Sequence, residues 1–366
     1  MTTLDFLDAD PLTGPSTARI ALAKRAYTTR RVPLAAMTHL LTGSHLVPQA
    51  GDLMLARVSK LGKHASLECT VSRRSALFVG DEIVVACAAR YAPDQFDAQL
   101  PASLAPCHLA AGGGVAGLVV ARHAGVGAPT EIEPIGLLAD VAGVRANLAR
   151  CAMAPTALVP QRQPVTIVSL GTSMNAGKTT SAAHLIRGLS RAGLRVAAAK
   201  VTGTGSGNDP GLLRDAGATT VLDFVDAGWA STCGLSVPEL ESAARLLVAH
   251  LAQPQVDAIV LEVADGLYQR ETAALLHSPS FQALIDGVIF SAGDAMGAAA
   301  GADWLQRAGL PPLALAGTLT RSPLARSEAA AATGLAVLGL DDLSAPATAR
   351  ALWEQAAQRR TAGVAA

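Results

Sequence analysis

The ten residues Gly171 to Thr180, Gly-Thr-Ser-Met-Asn-Ala-Gly-Lys-Thr-Thr, gather the groups that bind phosphate. Lys178 would reach the β- and γ-phosphates of a nucleotide. Thr179 would place its hydroxyl on Mg2+, and Thr180 could contact the α-phosphate. Gly177 lets the backbone approach an anion closely. The spacing departs by one position from the common G-x-x-x-x-G-K-[ST] loop, because Thr172 stands where that loop has glycine and Gly171 precedes it. The nucleotide-contacting set read from this stretch is Gly171, Thr172, Asn175, Ala176, Gly177, Lys178, Thr179 and Thr180.

Further candidates stand where apolar runs end. Lys200 closes one run and would add positive charge to a γ-phosphoryl group or an acyl phosphate. The polar run after it holds Thr202, Gly203, Thr204, Gly205 and Ser206. It suits a loop closing over an anionic or polar substrate, with a flexible linker as the alternative. Glu262 ends another apolar run, where ligands bind in parallel sheets, and one carboxylate beside phosphate oxygens suits Mg2+. Asp265 is a lesser candidate. Asp223, Asp226 and Ser231 could bind substrate amines or hydroxyls, or could cap a helix and form turns.

These residues need a frame, and apolar runs alternating with helical patterns supply one. Strands are expected over 165–170, 195–200, 219–223, 258–262, 287–291 and 313–318. Helices are expected over 179–192, 238–252 and 295–308, with one more after 345. Strands this apolar have both sheet faces covered, so the fold class is α/β, with a mostly parallel sheet flanked by helices. The turn at Gly171–Gly177 then joins a strand to a helix, which points backbone N–H groups and the positive helix end at an anion. Before it, residues 34–150 show short aliphatic runs cut by Gly51-Asp52 and Gly80-Asp81, the pattern of a smaller β-rich domain, barrel or sandwich. Residues 1–33 read as an arm with one helix near 18–26, residues 151–164 as a proline-bearing linker, and residues 165–366 as the nucleotide domain.

With Lys200 and Glu262 added, Gly171-Thr172 followed by Gly177-Lys178-Thr179 resembles the loop of dethiobiotin synthetase, in which the displaced glycine is normal. The resemblance covers roughly 165–343 and extends to related ATP-dependent ligases and kinases of the P-loop superfamily. That superfamily also holds metallochaperone GTPases and an uncharacterised P-loop group with an added N-terminal β-rich domain. It implies that Asp215 joins Thr179 and Glu262 in holding Mg2+, and that the protein is a homodimer. Val263-Ala264-Asp265-Gly266 departs from the dethiobiotin pattern, so the substrate there differs.

Composition narrows the rest. Lys+Arg and Asp+Glu both number 29, so no broad charge footprint invites nucleic acid or an anionic membrane. No apolar run spans a membrane, and the N-terminus lacks a signal-peptide pattern. The five cysteines show no C-x-x-C spacing and suit a reducing cytoplasm. Thr318 and Thr320 follow the last strand as candidates for reading the base, and the missing N-K-x-D signature tilts the expectation to ATP. The expected function is ATP- and Mg2+-dependent transfer of the γ-phosphoryl group to a small-molecule carboxylate or hydroxyl, with Lys178, Lys200 and Glu262 catalytic. The alternative is a nucleotide-dependent switch or metallochaperone-like NTPase.

Overall fold

The computed structural model describes residues 12–13, 17–156 and 163–364. Part of the arm and the middle of the linker lie outside them. Two compact units emerge. Of the described residues, one contains those up to Ala152 together with Thr204–Gly207 and Gly228–Cys233; the other contains those from Met153 to Gly203, Asn208–Ala227 and those from Gly234 onward.

The first unit is β-rich. Its elements are β1 (Leu12–Thr13), α1 (Thr17–Leu22), β2 (Lys24–Arg25), β3 (His39–Leu41), β4 (Leu53–Lys60), β5 (Ser66–Glu68), β6 (Arg74–Ala76), β7 (Glu82–Cys87), β8 (Arg90–Tyr91), β9 (Phe96–Gln99), β10 (Cys107–Ala111), β11 (Val115–Arg122) and β12 (Thr130–Ala139). β4 pairs with β7, β7 with β11, β11 with β10, β10 with β12, and β12 with β4. The ring closes, so this is a five-stranded barrel. Alternation along the strands divides their side chains. One set, including Met54, Val85, Leu109, Ala116 and Ile132, forms a single cluster drawn from all five ring strands. The alternate set, including Leu55, Val84 and Leu138, packs with Ile20, Val32 and Met37. Residues 17–33 are therefore not a loose arm: α1 is shorter than expected, β2 pairs with β7, and Ile20 and Val32 are buried in the core. The Gly-Asp pairs mark real turns, with Gly51 and Gly80 both at positive φ.

The second unit is a parallel sheet with helices. It runs β13 (Val165–Gly171), α2 (Lys178–Arg191), β14 (Val196–Lys200), α3 (Asn208–Asp215), β15 (Thr220–Asp223), α4 (Val237–Leu251), β16 (Ala258–Glu262), α5 (Arg270–Leu276), α6 (Pro279–Gln282), β17 (Gly287–Ser291), α7 (Ala295–Arg307), β18 (Ala314–Ala316), α8 (Pro323–Thr333), α9 (Leu340–Ser344) and α10 (Pro346–Val364). The strand order is β15-β14-β16-β13-β17-β18, and every pair is parallel. Two clusters cover its faces, one around α4, α5 and α7 and the other around α2 and α10. This double covering is why the strands read as unbroken apolar runs. Among the described residues no helix is long and apolar enough to cross a membrane, and all five cysteines are free thiols.

Candidate functional site

Parallel strands deliver their C-terminal residues to one edge, and the register puts four polar residues there at one level. Asp223 pairs with Lys200, Lys200 with Glu262, and Glu262 with Ser169. All four are buried. They stand across β15, β14, β16 and β13 as a row.

The loop from β13 to α2 rises beside this row. Gly177 lies at φ +103° and Asn175 at φ +64°, so the chain turns back just before the first helical residue, Lys178. A Cβ on Gly177 would come within 3.0 Å of the Gly317 Cα. Gly171 has a different role. A Cβ there would meet the Lys178 Cγ at 2.7 Å, so the lysine stem lies over this glycine. The displaced glycine is thus the residue that makes room for the lysine. Lys178 Nζ donates to the Ser173 carbonyl at 2.6 Å, and the Lys178 carbonyl accepts from Ser169 Oγ at 2.9 Å. Thr172 N–H donates to the Ser291 carbonyl, and the Ala176 carbonyl accepts from Thr318 N–H. Thr180 is exposed on the first turn of α2.

Charge in the row is concentrated and dry. Thr179 Oγ1 donates to Glu262 Oε1 at 2.7 Å, while Glu262 Oε2 is buried without a hydrogen-bond partner among the described residues. Burial raises the Glu262 pKa above the usual carboxylate value, against the pull of Lys200. Burial pushes Lys200 down, but Asp209, Glu262 and Asp223 together overcome it, and its pKa is raised. Lys178 is lowered by burial, with Glu262 and Asp265 opposing. Lys200 is ion-paired to Asp209 in the first turn of α3. Gly203, at φ +124°, makes room for it: a Cβ there would lie 3.1 Å from the Lys200 Cε.

A buried carboxylate oxygen with no partner, next to a threonine hydroxyl at the helix start, is a fitting donor set for Mg2+, which takes one or two protein oxygens and leaves the remainder to phosphate and water.

Other expected residues go elsewhere. Asp215 does not join Thr179 and Glu262. It is exposed at the C-terminal end of α3. The turn that follows is fixed by Thr219 N–H donating to the carbonyl of Val196, the first residue of β14. That is the N-terminal edge of the sheet, opposite the loop. The acid of α3 that reaches the row is Asp209, through its ion pair with Lys200. Thr204, Gly205, Ser206 and Ser231 belong to the β-rich unit. Thr204 bridges Ser231, Gly205 N–H donates to the Ala230 carbonyl, and Ser206 Oγ donates to the buried Glu68 at 3.0 Å. Gly205 is a glycine-to-glycine contact: a Cβ on Gly113 would run into its carbonyl. Thr204, Gly205 and Ser206 are thus held by partners within the β-rich unit, which differs from the reading of them as a loop closing over substrate. Ser231 Oγ also accepts from Cys233 N–H, as a turn residue does. Thr202 is buried, its Oγ1 accepting from Ala264 N–H at 2.8 Å, and so fixes the chain after β16. Asp223 accepts from Val225 N–H, and Asp226 from Asp223 N–H, so these acids shape the turn after β15.

A strand, a glycine loop and a helix opening on Lys-Thr-Thr, at the C-terminal edge of an all-parallel sheet, have the arrangement of a phosphate-binding loop in an α/β fold. No protein-family profile matches the chain, and no curated protein matches it. Among solved structures it is similar to the signal recognition particle 54 kDa protein from Aeropyrum pernix K1 in complex with GDP, at 19% identity over 56% of this chain and 52% of that one, with a TM-score of 0.37. It is also similar to the signal recognition particle receptor FtsY from Elizabethkingia anophelis, at 17% identity over 53% of this chain and 56% of that one, with a TM-score of 0.33. A second structure of that receptor, with GDP, matches at 15% identity over 56% of this chain and 57% of that one, with a TM-score of 0.29. The chain spans little more than half the length of these structures.

Proposed function

We propose that the protein is a Mg2+-dependent nucleoside triphosphatase acting as a nucleotide-dependent switch. The phosphates lie at the N-terminus of α2. Lys178 leaves the Ser173 carbonyl for the β- and γ-phosphate oxygens, and Thr179 and Glu262 hold the metal. Bound there, Mg2+ neutralises charge on those oxygens.

The observation that carries the switch reading is the Lys200–Asp209 ion pair. Its two residues flank Thr204–Gly207, which pack with the β-rich unit. A γ-phosphate competes with Asp209 for the Lys200 ammonium. Occupancy of the loop then changes the hold on the first turn of α3 and on the segment preceding it.

A second reading is transfer of the γ-phosphoryl group to a small-molecule carboxylate or hydroxyl, as in the ligases and kinases the loop resembles. What favours it is Lys200 itself, a second buried cation beside Glu262, where charge on a transferring phosphoryl group is best met.

Turnover of ATP and GTP with Mg2+, with and without pooled amino acids and carboxylic acids, separates the two. Slow turnover indifferent to acceptors supports the switch. Acceptor-dependent release of nucleoside diphosphate overturns it in favour of transfer.

A further inference from the structure

A cavity of about 380 Å³ opens beside the loop. Gly177 and Thr180 form one wall, and residues of the turn after β18 and of the start of α9 form the others. Its size falls in the range of small-ligand sites, roughly 300–1,000 Å³. Its position is the more telling feature. Gly177 and Thr180 line it, so it adjoins Lys178 and Thr179, where the phosphates would bind.

The walls are fixed, and their fixed groups are spoken for. Thr318 N–H donates to the Ala176 carbonyl at 3.0 Å, tying the turn after β18 to the loop. Thr320 Oγ1 donates to the Gly317 carbonyl. Asp342 accepts from Arg326 and from Gly339 N–H, both at 2.8 Å, and Arg326 also reaches the Val337 carbonyl. Two charged residues that line the cavity, Asp341 and Arg321, are exposed and make none of these bonds.

We propose that this cavity binds the nucleoside of a guanine nucleotide and that Asp341 selects the base. The inference rests on the phosphate-loop reading above and adds the identity of the base. A carboxylate offers two acceptors side by side. Guanine presents two donors side by side, N1–H and the N2 amine, whereas adenine sets the acceptor N1 beside its N6 amine. The second carboxylate oxygen therefore meets a donor in guanine and a lone pair in adenine. Arg321 complements the other side of guanine, where O6 and N7 both accept. The proposal differs from the expectation of ATP drawn from the missing N-K-x-D signature, placing the acid that reads the base in Leu340-Asp341-Asp342-Leu343.

The test uses the full chain with Mg2+ and fluorescent guanine and adenine nucleotides, in wild type, Asp341→Asn and Lys178→Ala. Wild type binds GTP roughly tenfold or more tighter than ATP. Asp341→Asn loses most of that preference and gains affinity for xanthosine triphosphate, whose O2 accepts from the new amide. Equal affinities in wild type, or an unchanged GTP-to-ATP ratio in Asp341→Asn, overturn the base assignment while leaving the loop reading intact. Lys178→Ala weakens both nucleotides alike. Full binding by that variant overturns the loop reading and this inference with it.

Discussion

Replacing Glu262 by glutamine should make the free protein more stable and the nucleotide-bound protein less so. Glu262 Oε1 is satisfied by Thr179, but Oε2 is buried with no partner among the described residues. A buried polar atom left unsatisfied costs about 1–3 kcal/mol. Glutamine keeps the acceptor for Thr179 and puts a neutral amide where the charge was, so it relieves the charged part of that cost while leaving an unpaired N–H. Lys200 keeps its pair with Asp209, and Lys178 keeps the favourable charge of Asp265, so each cation retains one acid. A net gain of about 1 kcal/mol raises the melting temperature of a domain of this size by roughly 2–4 °C. Bound nucleotide acts the other way. Ligand at about 100 times its Kd stabilises the wild type by about 2.7 kcal/mol. The variant, deprived of its metal-supporting carboxylate, should gain less than half of that. The assay is thermal unfolding of both proteins with EDTA, and with Mg2+ plus GTP. The predicted outcome is a crossing, with Glu262→Gln melting higher than wild type in EDTA and lower with Mg2+–GTP. A variant that melts lower in both conditions, or that keeps the full nucleotide shift, refutes the reasoning.

Two further outcomes concern the barrel unit. His64 is half-buried beside Arg90, and burial first, then the Arg90 charge, pushes its pKa from 6.5 to about 4. The unfolded chain takes up this proton near 6.5 and the folded chain only near 4. The contribution of His64 to stability is therefore complete above the first value and lost as pH falls toward the second, by up to about 3 kcal/mol. Denaturant midpoints at pH 7 and 4.5 should differ less in His64→Gln than in wild type; an equal difference removes His64 from the account. Gly113→Ala should strain the approach of Gly113 to the Gly205 carbonyl and destabilise by about 1–3 kcal/mol. Limited proteolysis should then cut within Thr204–Gly207, and wild-type resistance together with wild-type stability counts against a structural role for the Gly113–Gly205 approach.

The second unit was far more legible in the sequence than the first. β16 and β17 fall on the expected residues 258–262 and 287–291, because a strand buried on both faces has an unmistakable apolar run. Lys178, Thr179, Lys200 and Glu262 could be paired with strand and helix ends before any register was known. The barrel closure was not legible. It depends on β10 pairing with both β11 and β12, a long-range choice that short alternating runs leave open. The acids of α3 were misassigned for a related reason. Asp209 and Asp215 occupy the two ends of one helix, and only the sheet decides which end faces the loop. The polar run after Gly203 misled because its glycines answer to distant residues, Gly113 and Ser72, and not to a ligand. Asp341 escaped notice because a carboxylate in a helical first turn carries no signal of the cavity it lines.

The central claim is that the chain from Gly171 to Thr180 holds the phosphates of a nucleotide with Lys178 as its cation. The most direct measurement is calorimetric titration of wild type and Lys178→Ala with Mg2+–GTP, repeated in EDTA. The account predicts saturable binding by wild type, weakened in EDTA, and a loss of roughly a hundredfold in Lys178→Ala, the scale of truncating one partner of a buried charge pair. Equal affinity of the two proteins would contradict it.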